Sequence, residues 1–233
     1  MTLRTIRRGL AGLLPALIFA SADARADAAG VPGTVEEARS ILLNRLSAQQ
    51  RSIVQIKLAD LSANRKGSPK APVVMLEFSD FECSRCRAFY MTTFPRIDTD
   101  LIETGKVLYI GLNYYLATAN HAKAALAAGK LGKYWEMKDR LMTTDQALDE
   151  RAYAAFARDL GLDSHAFHAA YESDDVAKEA GSERAQGRAA GVSITPTFLV
   201  GWALPDGTFV GARISGPKPW TFFRDLVDEM IHG

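Results

Sequence analysis

Two short apolar runs constrain what this chain can fold into. Residues 73–78 and 107–112 are mostly apolar and partly β-branched, which predicts two buried strands. Between them, from Cys83 to Gly105, the pattern is helical, and Pro95 is expected to kink or break that helix. Because a strand, a helix and a second strand in this order form a parallel crossover, the sequence predicts an α/β fold.

The second half of the chain adds helices and then two more strands. Residues 116–190 carry only helical patterns. Residues 197–202 and 208–214 predict strands joined by a Pro-Asp-Gly turn, and residues 220–231 predict a closing helix with an apolar face. The predicted order is therefore a βαβ half, a helical block and a ββα half.

The segment before the first buried strand predicts a helix and a further strand. Residues 34–52 predict an amphipathic helix that begins at a capping box of Thr34 and Glu37. This helix could pack on its own domain or join copies of the chain into a homo-oligomer. Alternation over residues 54–58 predicts a half-buried strand, and residues 64–72 predict a turn-rich connector.

Residues 1–26 have the features of a signal peptide. Arg4, Arg7 and Arg8 precede an apolar run, and small-x-small cleavage motifs end at Ala22 and at Ala26. The apolar run is shorter than the ~20 residues that span a bilayer. We therefore expect the mature protein to be exported to a compartment where disulfides persist.

Composition narrows the classes of function. With 48% hydrophobic and 24% charged residues, the chain matches an average globular protein, which excludes a disordered chain and a polytopic membrane protein. A formal charge of +1 gives no electrostatic reason to expect a nucleic-acid partner. The two cysteines, Cys83 and Cys86, are too few for a disulfide-stapled miniprotein.

Three roles compete for Cys83 and Cys86. A structural disulfide stabilises mainly by closing a long loop, and a bridge across two residues would stabilise little. A metal site needs about four ligands, yet there is no second cysteine pair and the four histidines are distant in sequence. The favoured interpretation is a redox-active pair that needs neither a metal nor a diffusible cofactor.

The position of the pair supports redox chemistry. Cys83 would lie at or beside a helix N-cap, where unpaired N–H groups and the helix dipole favour a thiolate. Ser84 and Arg85 are candidates for stabilising that thiolate, Arg85 through its positive charge. Cys86, one turn further along the helix, would be less exposed and would attack a mixed disulfide on Cys83.

Four stretches together resemble the DsbA-like branch of the thioredoxin superfamily, which is found in bacterial periplasms. They are residues 77–86 (EFSDFECSRC), 105–107 (GKV), 132–137 (GKYWEM) and 191–198 (GVSITPTF). The resemblance implies a thioredoxin fold with an inserted helical domain. Its parts are a thioredoxin-like domain at 53–115 and 191–233, the helical domain at 116–190 and an N-terminal element at 27–52.

The resemblance also assigns further site residues. Pro196 matches the family's cis-proline, which faces the redox pair, and the backbone of Thr195 would then hydrogen-bond an extended substrate. Glu77 matches a buried acid that relays the proton of the buried cysteine, and it is expected to lack a partner. Asp80 and Glu82 are expected to be solvated turn residues.

The expected function is that of a periplasmic thiol–disulfide oxidoreductase acting as an oxidant. Its expected partners are cysteine-containing exported proteins and a membrane redox partner. Two alternatives stay open: a disulfide isomerase or reductase that a membrane partner keeps reduced, and a non-enzymatic protein that binds copper or zinc.

Overall fold

The strands form a single mixed sheet. The computed structural model describes residues 30–45, 52–57 and 64–232, and the predicted signal peptide lies outside these ranges. Within them, the strands are β1 (Ile53–Lys57), β2 (Arg65–Lys66), β3 (Val73–Ser79), β4 (Val107–Asn113), β5 (Thr197–Ala203) and β6 (Thr208–Ser215). Their order across the sheet is β1-β6-β5-β3-β4-β2. β3 and β4 are parallel, as the crossover predicts, and the other neighbouring pairs are antiparallel.

Helices cover the sheet and fill the stretch between β4 and β5. In the described ranges they are α1 (Val35–Arg45), α2 (Ser84–Thr92), α3 (Phe94–Ile97), α4 (Asn120–Lys130), α5 (Tyr134–Thr143), α6 (Glu150–Asp159), α7 (Ser164–Tyr171), α8 (Asp174–Ala189) and α9 (Trp220–His232). The helices α4 to α8 form the helical block that the sequence predicts. None of the helices in the described part of the chain is long and apolar enough to cross a bilayer.

The two central parallel strands are buried along their whole length. Met75 and Tyr109 belong to a core that includes side chains of α2, α9 and the helical block. Leu76 and Ile110 point to the opposite face, where a smaller core forms. Coverage of both faces explains why these strands are nearly continuous apolar runs rather than alternating ones.

The helical stretch after Cys83 is broken into three parts. α2 ends at Thr92, α3 begins at Phe94, and a π-helical turn follows over Asp98–Ile102. Pro95 lies in the first turn of α3, where its missing N–H costs no intrahelical hydrogen bond. The break predicted at Pro95 is confirmed, and the helical segments end at Ile102 rather than at Gly105.

Two predicted segments have ends that differ from those found in the structure. The connector predicted over residues 64–72 begins instead with β2, which pairs with Tyr109 and Ile110 of β4. The helix predicted over residues 34–52 is found over Val35–Arg45 within the described ranges; residues 46–51 lie outside them, and Ser52 is not helical.

The helix α1 packs on its own chain. Its side chains Ala38 and Leu42 are buried in the main core. Nη1 of Arg45 donates a hydrogen bond to the carbonyl of Glu229 on α9, at 2.9 Å. Of the two roles considered for this helix, packing on its own domain is the one these contacts support.

Candidate active site

The cysteine pair lies where the buried strand β3 passes into the helix α2. Cys83 is the N-cap residue of α2 and is partly exposed, whereas Cys86 is buried in the first turn. A short turn holds this junction, because the N–H of Cys83 donates to the carbonyl of Asp80 at 3.2 Å. The sulfur of Cys83 lies beside the N–H groups of the helix start, which interact with it although none has the geometry of a capping hydrogen bond to the thiol.

The surroundings of Cys83 favour its thiolate. Partial burial alone would raise the pKa of Cys83, but hydrogen bonds outweigh it and hold the pKa below the ordinary value. These bonds come from the side chain of Thr195, the backbone N–H and thiol of Cys86, and the backbone N–H of Arg85. The predicted N-cap position therefore brings N–H donors to the sulfur of Cys83.

The surroundings of Cys86 favour its thiol. Burial raises the pKa of Cys86 to about 12, and the negative charge of Glu77 acts in the same direction. Hydrogen bonds from the backbone of Asp80 and the side chains of Ser79 and Thr195 oppose this increase but do not offset it. The two sulfurs are therefore chemically different, with one poised to carry charge and the other to hold a proton.

The loop before β5 closes over Cys83. The peptide bond between Thr195 and Pro196 is cis, as the resemblance implies, and both residues are buried. Sγ of Cys83 lies 3.4 Å from the carbonyl oxygen of Thr195 and donates to it as a thiol. The Thr195 hydroxyl is buried without a hydrogen-bond partner among the described groups, yet it lowers the pKa of both cysteines. A hydroxyl that turns toward whichever sulfur is charged accounts for both observations.

Glu77 is buried, but it is not alone. Its side chain is 0% exposed, and its Oε2 accepts a hydrogen bond at 2.5 Å from Nζ of Lys138, which is 1% exposed. The ammonium group also lies 5.3 Å from the ring centre of Trp135 and 5.9 Å from that of Tyr90. The expectation that Glu77 lacks a partner is wrong, because α5 of the helical block supplies the countercharge.

The helical spacing in α5 places Lys138 on a stripe of buried side chains. Tyr134, Lys138 and Met142 are spaced four residues apart on α5, and all three are buried. A lysine within an otherwise apolar stripe of a helix needs a buried partner. That partner is on a strand 61 positions earlier, so the sequence could not identify it.

The sequence matches the model of a known protein family, and the fold matches solved structures. The sequence model of the family described as Thioredoxin matches residues 62–208, which is more than half of the chain. The chain belongs to the thioredoxin family. Among solved structures, α-DsbA1 of Wolbachia pipientis is similar with a TM-score of 0.66 and 22% identity, over 76% of this chain and 96% of that one. The thioredoxin fold with an inserted helical domain is therefore the fold of this chain, as the resemblance implies.

Two curated proteins match parts of the sequence. Disulfide bond formation protein D of Bacillus subtilis is 31% identical over 80 residues, which cover 32% of this chain and 36% of that protein. The Na⁺/H⁺ antiporter NhaA of Herminiimonas arsenicoxydans is 27% identical over 135 residues, which cover 58% of this chain and 22% of the antiporter. The chain thus spans only about a fifth to about a third of the length of these relatives.

The two residues between the cysteines of this thioredoxin-family site are exposed. Ser84 and Arg85 occupy the first turn of α2. Arg85 acts on the sulfur of Cys83 through its backbone N–H. The expected contribution of the positive charge of Arg85 stays a prediction.

The acidic residues of the turn have partners. Asp80 is buried, with Oδ1 accepting from the N–H of Glu82 and Oδ2 from the N–H of Leu116, both at 3.0 Å. Expecting Asp80 to be solvated was therefore wrong, because it ties the cysteine turn to the segment after β4. Glu82 is 46% exposed, and its Oε1 lies 3.3 Å from Nε2 of His121. His121, distant in sequence, was missed as a neighbour of the site.

Proposed function

We propose that this protein is a thiol–disulfide oxidoreductase that exchanges disulfides with protein substrates through Cys83 and Cys86. The observation that carries the proposal is the placement of the two sulfurs, because Cys83 is partly exposed at the N-cap of α2 and Cys86 is buried in its first turn. This placement lowers the pKa of Cys83 and raises that of Cys86 to about 12. A thiolate is the nucleophile and the better leaving group in disulfide exchange, so Cys83 is the sulfur that joins the substrate. Among the described residues, no group of three or more His, Cys, Asp or Glu side chains could hold a metal ion.

The reaction transfers two electrons to the cysteine pair; of the two protons that the substrate thiols lose, one ends on Cys86 and the other goes to solvent. A substrate thiolate attacks Sγ of Cys83 in the disulfide form, which forms a mixed disulfide and releases Cys86 as a thiolate that takes up a proton. The second substrate thiolate attacks the substrate sulfur of the mixed disulfide. A substrate disulfide forms, and Cys83 leaves as a thiolate.

Glu77 is the group we propose for moving the proton of Cys86. Its charge acts on the Cys86 thiol, and both side chains are buried. Oε2 of Glu77 is held by Lys138, whereas Oε1 makes no hydrogen bond of good geometry with the described groups, and the buried Tyr109 hydroxyl interacts with the same carboxylate. One carboxylate oxygen is thus fixed and the other is available to accept or return a proton.

The direction of exchange follows from the stability of the Cys83 thiolate. Hydrogen bonds that lower the pKa of Cys83 stabilise the reduced protein relative to the disulfide. A protein with a stabilised reduced form is an oxidant of its substrates. The backbone of Thr195, whose carbonyl lies 3.4 Å from Sγ of Cys83, is proposed to bind the substrate as an added strand beside Pro196.

The cellular setting completes the proposal. Residues 1–26 act as a cleaved signal peptide, and residues 27–52 precede a thioredoxin-like domain at 53–115 and 191–233. Residues 116–190 are the inserted helical domain. The mature protein acts in the periplasm on cysteine-containing exported proteins, and a membrane redox partner restores its disulfide.

A homo-oligomer would use the outer face of α1, where Leu43 is exposed. A monomeric mass in gel filtration would contradict a homo-oligomer.

An exchange assay tests this function directly. Oxidised protein, with a chelator present, is mixed with a peptide that carries two reduced cysteines. We expect one peptide disulfide to form for each Cys83–Cys86 disulfide that is lost, as measured by mass spectrometry after acid quenching. Absence of exchange would contradict the proposal, and copper or zinc retained through dialysis without exchange would support the metal-binding alternative.

A further inference from the structure

A polar cavity lies beside the cysteine turn and is not used by the exchange reaction itself. It has a volume of about 480 Å³. Glu82, which directly precedes Cys83, forms part of its wall, and the start of α6 forms another part. This volume is within the usual size of ligand pockets in proteins.

The proton count around His121 leaves an acceptor without a donor. The Tyr153 hydroxyl donates to the carbonyl of Leu148 at 3.2 Å, and its oxygen lies 2.6 Å from Nδ1 of His121. Because a hydroxyl has one proton, the bond to Leu148 requires Tyr153 to accept from Nδ1, which places an imidazole proton there. In the neutral ring, Nε2 is then a bare acceptor.

Nε2 of His121 faces a carboxylate oxygen of Glu82. Nε2 of His121 lies 3.3 Å from Oε1 of Glu82 but makes no hydrogen bond with any described group, although His121 is only 5% exposed. Where Nε2 carries no proton, its lone pair and the carboxylate are stabilised by an N–H donor that contacts both atoms. An ammonium or guanidinium group supplies such donors and also a positive charge.

The remainder of the cavity wall carries net negative charge. Asp149 and Glu150 line it together with Glu82, and Arg151 is the one lysine or arginine among the described lining residues. Oδ1 of Asp149 accepts the N–H of Ala152 as the cap of α6, so this carboxylate is held in place. Three carboxylates against one guanidinium favour a cationic ligand over an anionic one.

We propose that this cavity binds a basic side chain, lysine or arginine, of the polypeptide substrate, close to the cysteine that reacts with Cys83. This inference rests on the proposed exchange reaction and adds a class of substrate to it. Since Glu82 and Cys83 are adjacent, a substrate residue a few positions from the reacting cysteine reaches the cavity. Substrates with basic residues near their cysteines would therefore be oxidised in preference to acidic ones.

The test compares three dithiol peptides that differ at one position near the cysteines, carrying lysine, glutamine or glutamate. With the wild-type protein we expect the lysine peptide to be oxidised about fivefold faster than the glutamate peptide. Glu150→Gln and Glu82→Gln should each reduce this ratio, as should added salt. Glu103→Gln is the matched control, because Glu103 is an exposed residue that precedes β4, at the end of the sheet opposite the cysteines. It should leave the ratio unchanged.

Two results would overturn the inference without affecting the exchange function. One is equal oxidation rates for all three peptides, and the other is a lysine preference that Glu150→Gln and Glu82→Gln leave intact. A binding measurement is independent of exchange: NMR signals of the His121 imidazole should shift with the lysine peptide whose cysteines are replaced by serine, and not with the glutamate version. If no peptide is oxidised but the His121 signals shift, the exchange function fails while the basic-residue site stands.

Discussion

Replacing Cys83 with serine is expected to reduce disulfide exchange to the uncatalysed rate, whereas Cys86→Ser is expected to trap substrates on the protein. The two outcomes differ because the sulfurs have different surroundings. Cys83 is partly exposed at the N-cap of α2 and has a lowered pKa, so it alone joins the substrate. Cys86 is buried and releases the mixed disulfide, so its loss stops the reaction halfway.

Mass spectrometry of quenched, non-reduced mixtures measures both outcomes. Cys86→Ser, activated as a mixed disulfide or reacted with an oxidised peptide, should show a protein–peptide adduct that a reductant removes. Cys83→Ser should show none. A Cys83→Ser protein that exchanges as fast as the wild type, or an adduct attached to Cys86, would contradict the assignment of roles.

Lys138→Met is expected to destabilise the protein by about 3–5 kcal/mol, because it leaves the Glu77 carboxylate buried without a countercharge. The pair joins β3 of the thioredoxin-like domain to α5 of the helical insertion, and both side chains are almost fully buried. The double variant Glu77→Gln with Lys138→Met removes both charges and should recover most of that stability. Denaturant unfolding of the three proteins measures these differences.

The matched control for this prediction is Lys133→Met. Lys133 precedes α5, pairs with Glu136 near the surface and is 41% exposed, so its loss should cost less than about 1 kcal/mol. The double variant also separates stability from chemistry: it should be stable yet slow in exchange, since the proposed proton acceptor for Cys86 is missing. Equal stability of Lys138→Met and Lys133→Met would show that the pair is not a buried ion pair in solution.

Local patterns predicted most of the framework. The apolar runs of β3 and β4 and the break at Pro95 depend on neighbouring residues only, and so does the N-cap position of Cys83. Pro196 was recognised through its surrounding motif rather than through any physical pattern of its own.

The parts that the sequence could not predict depend on pairs distant along the chain. Lys138 reaches Glu77 across 61 positions, and His121 meets Glu82 only because α4 begins beside the cysteine turn. Asp80 is an ordinary turn residue by its sequence, and its burial arises from the return of the chain at Leu116. The backbone N–H of Arg85 that lowers the pKa of Cys83 is not specific to arginine, because every residue except proline has one.

The most direct test of the account is the titration of the two cysteines in the reduced protein. NMR shifts of the Cβ atoms in cysteine-labelled protein, followed against pH, report each thiolate separately from the tyrosines. The account predicts that Cys83 ionises below the ordinary cysteine value while Cys86 remains a thiol until about pH 12. Two thiols that titrate together at the ordinary value would contradict it.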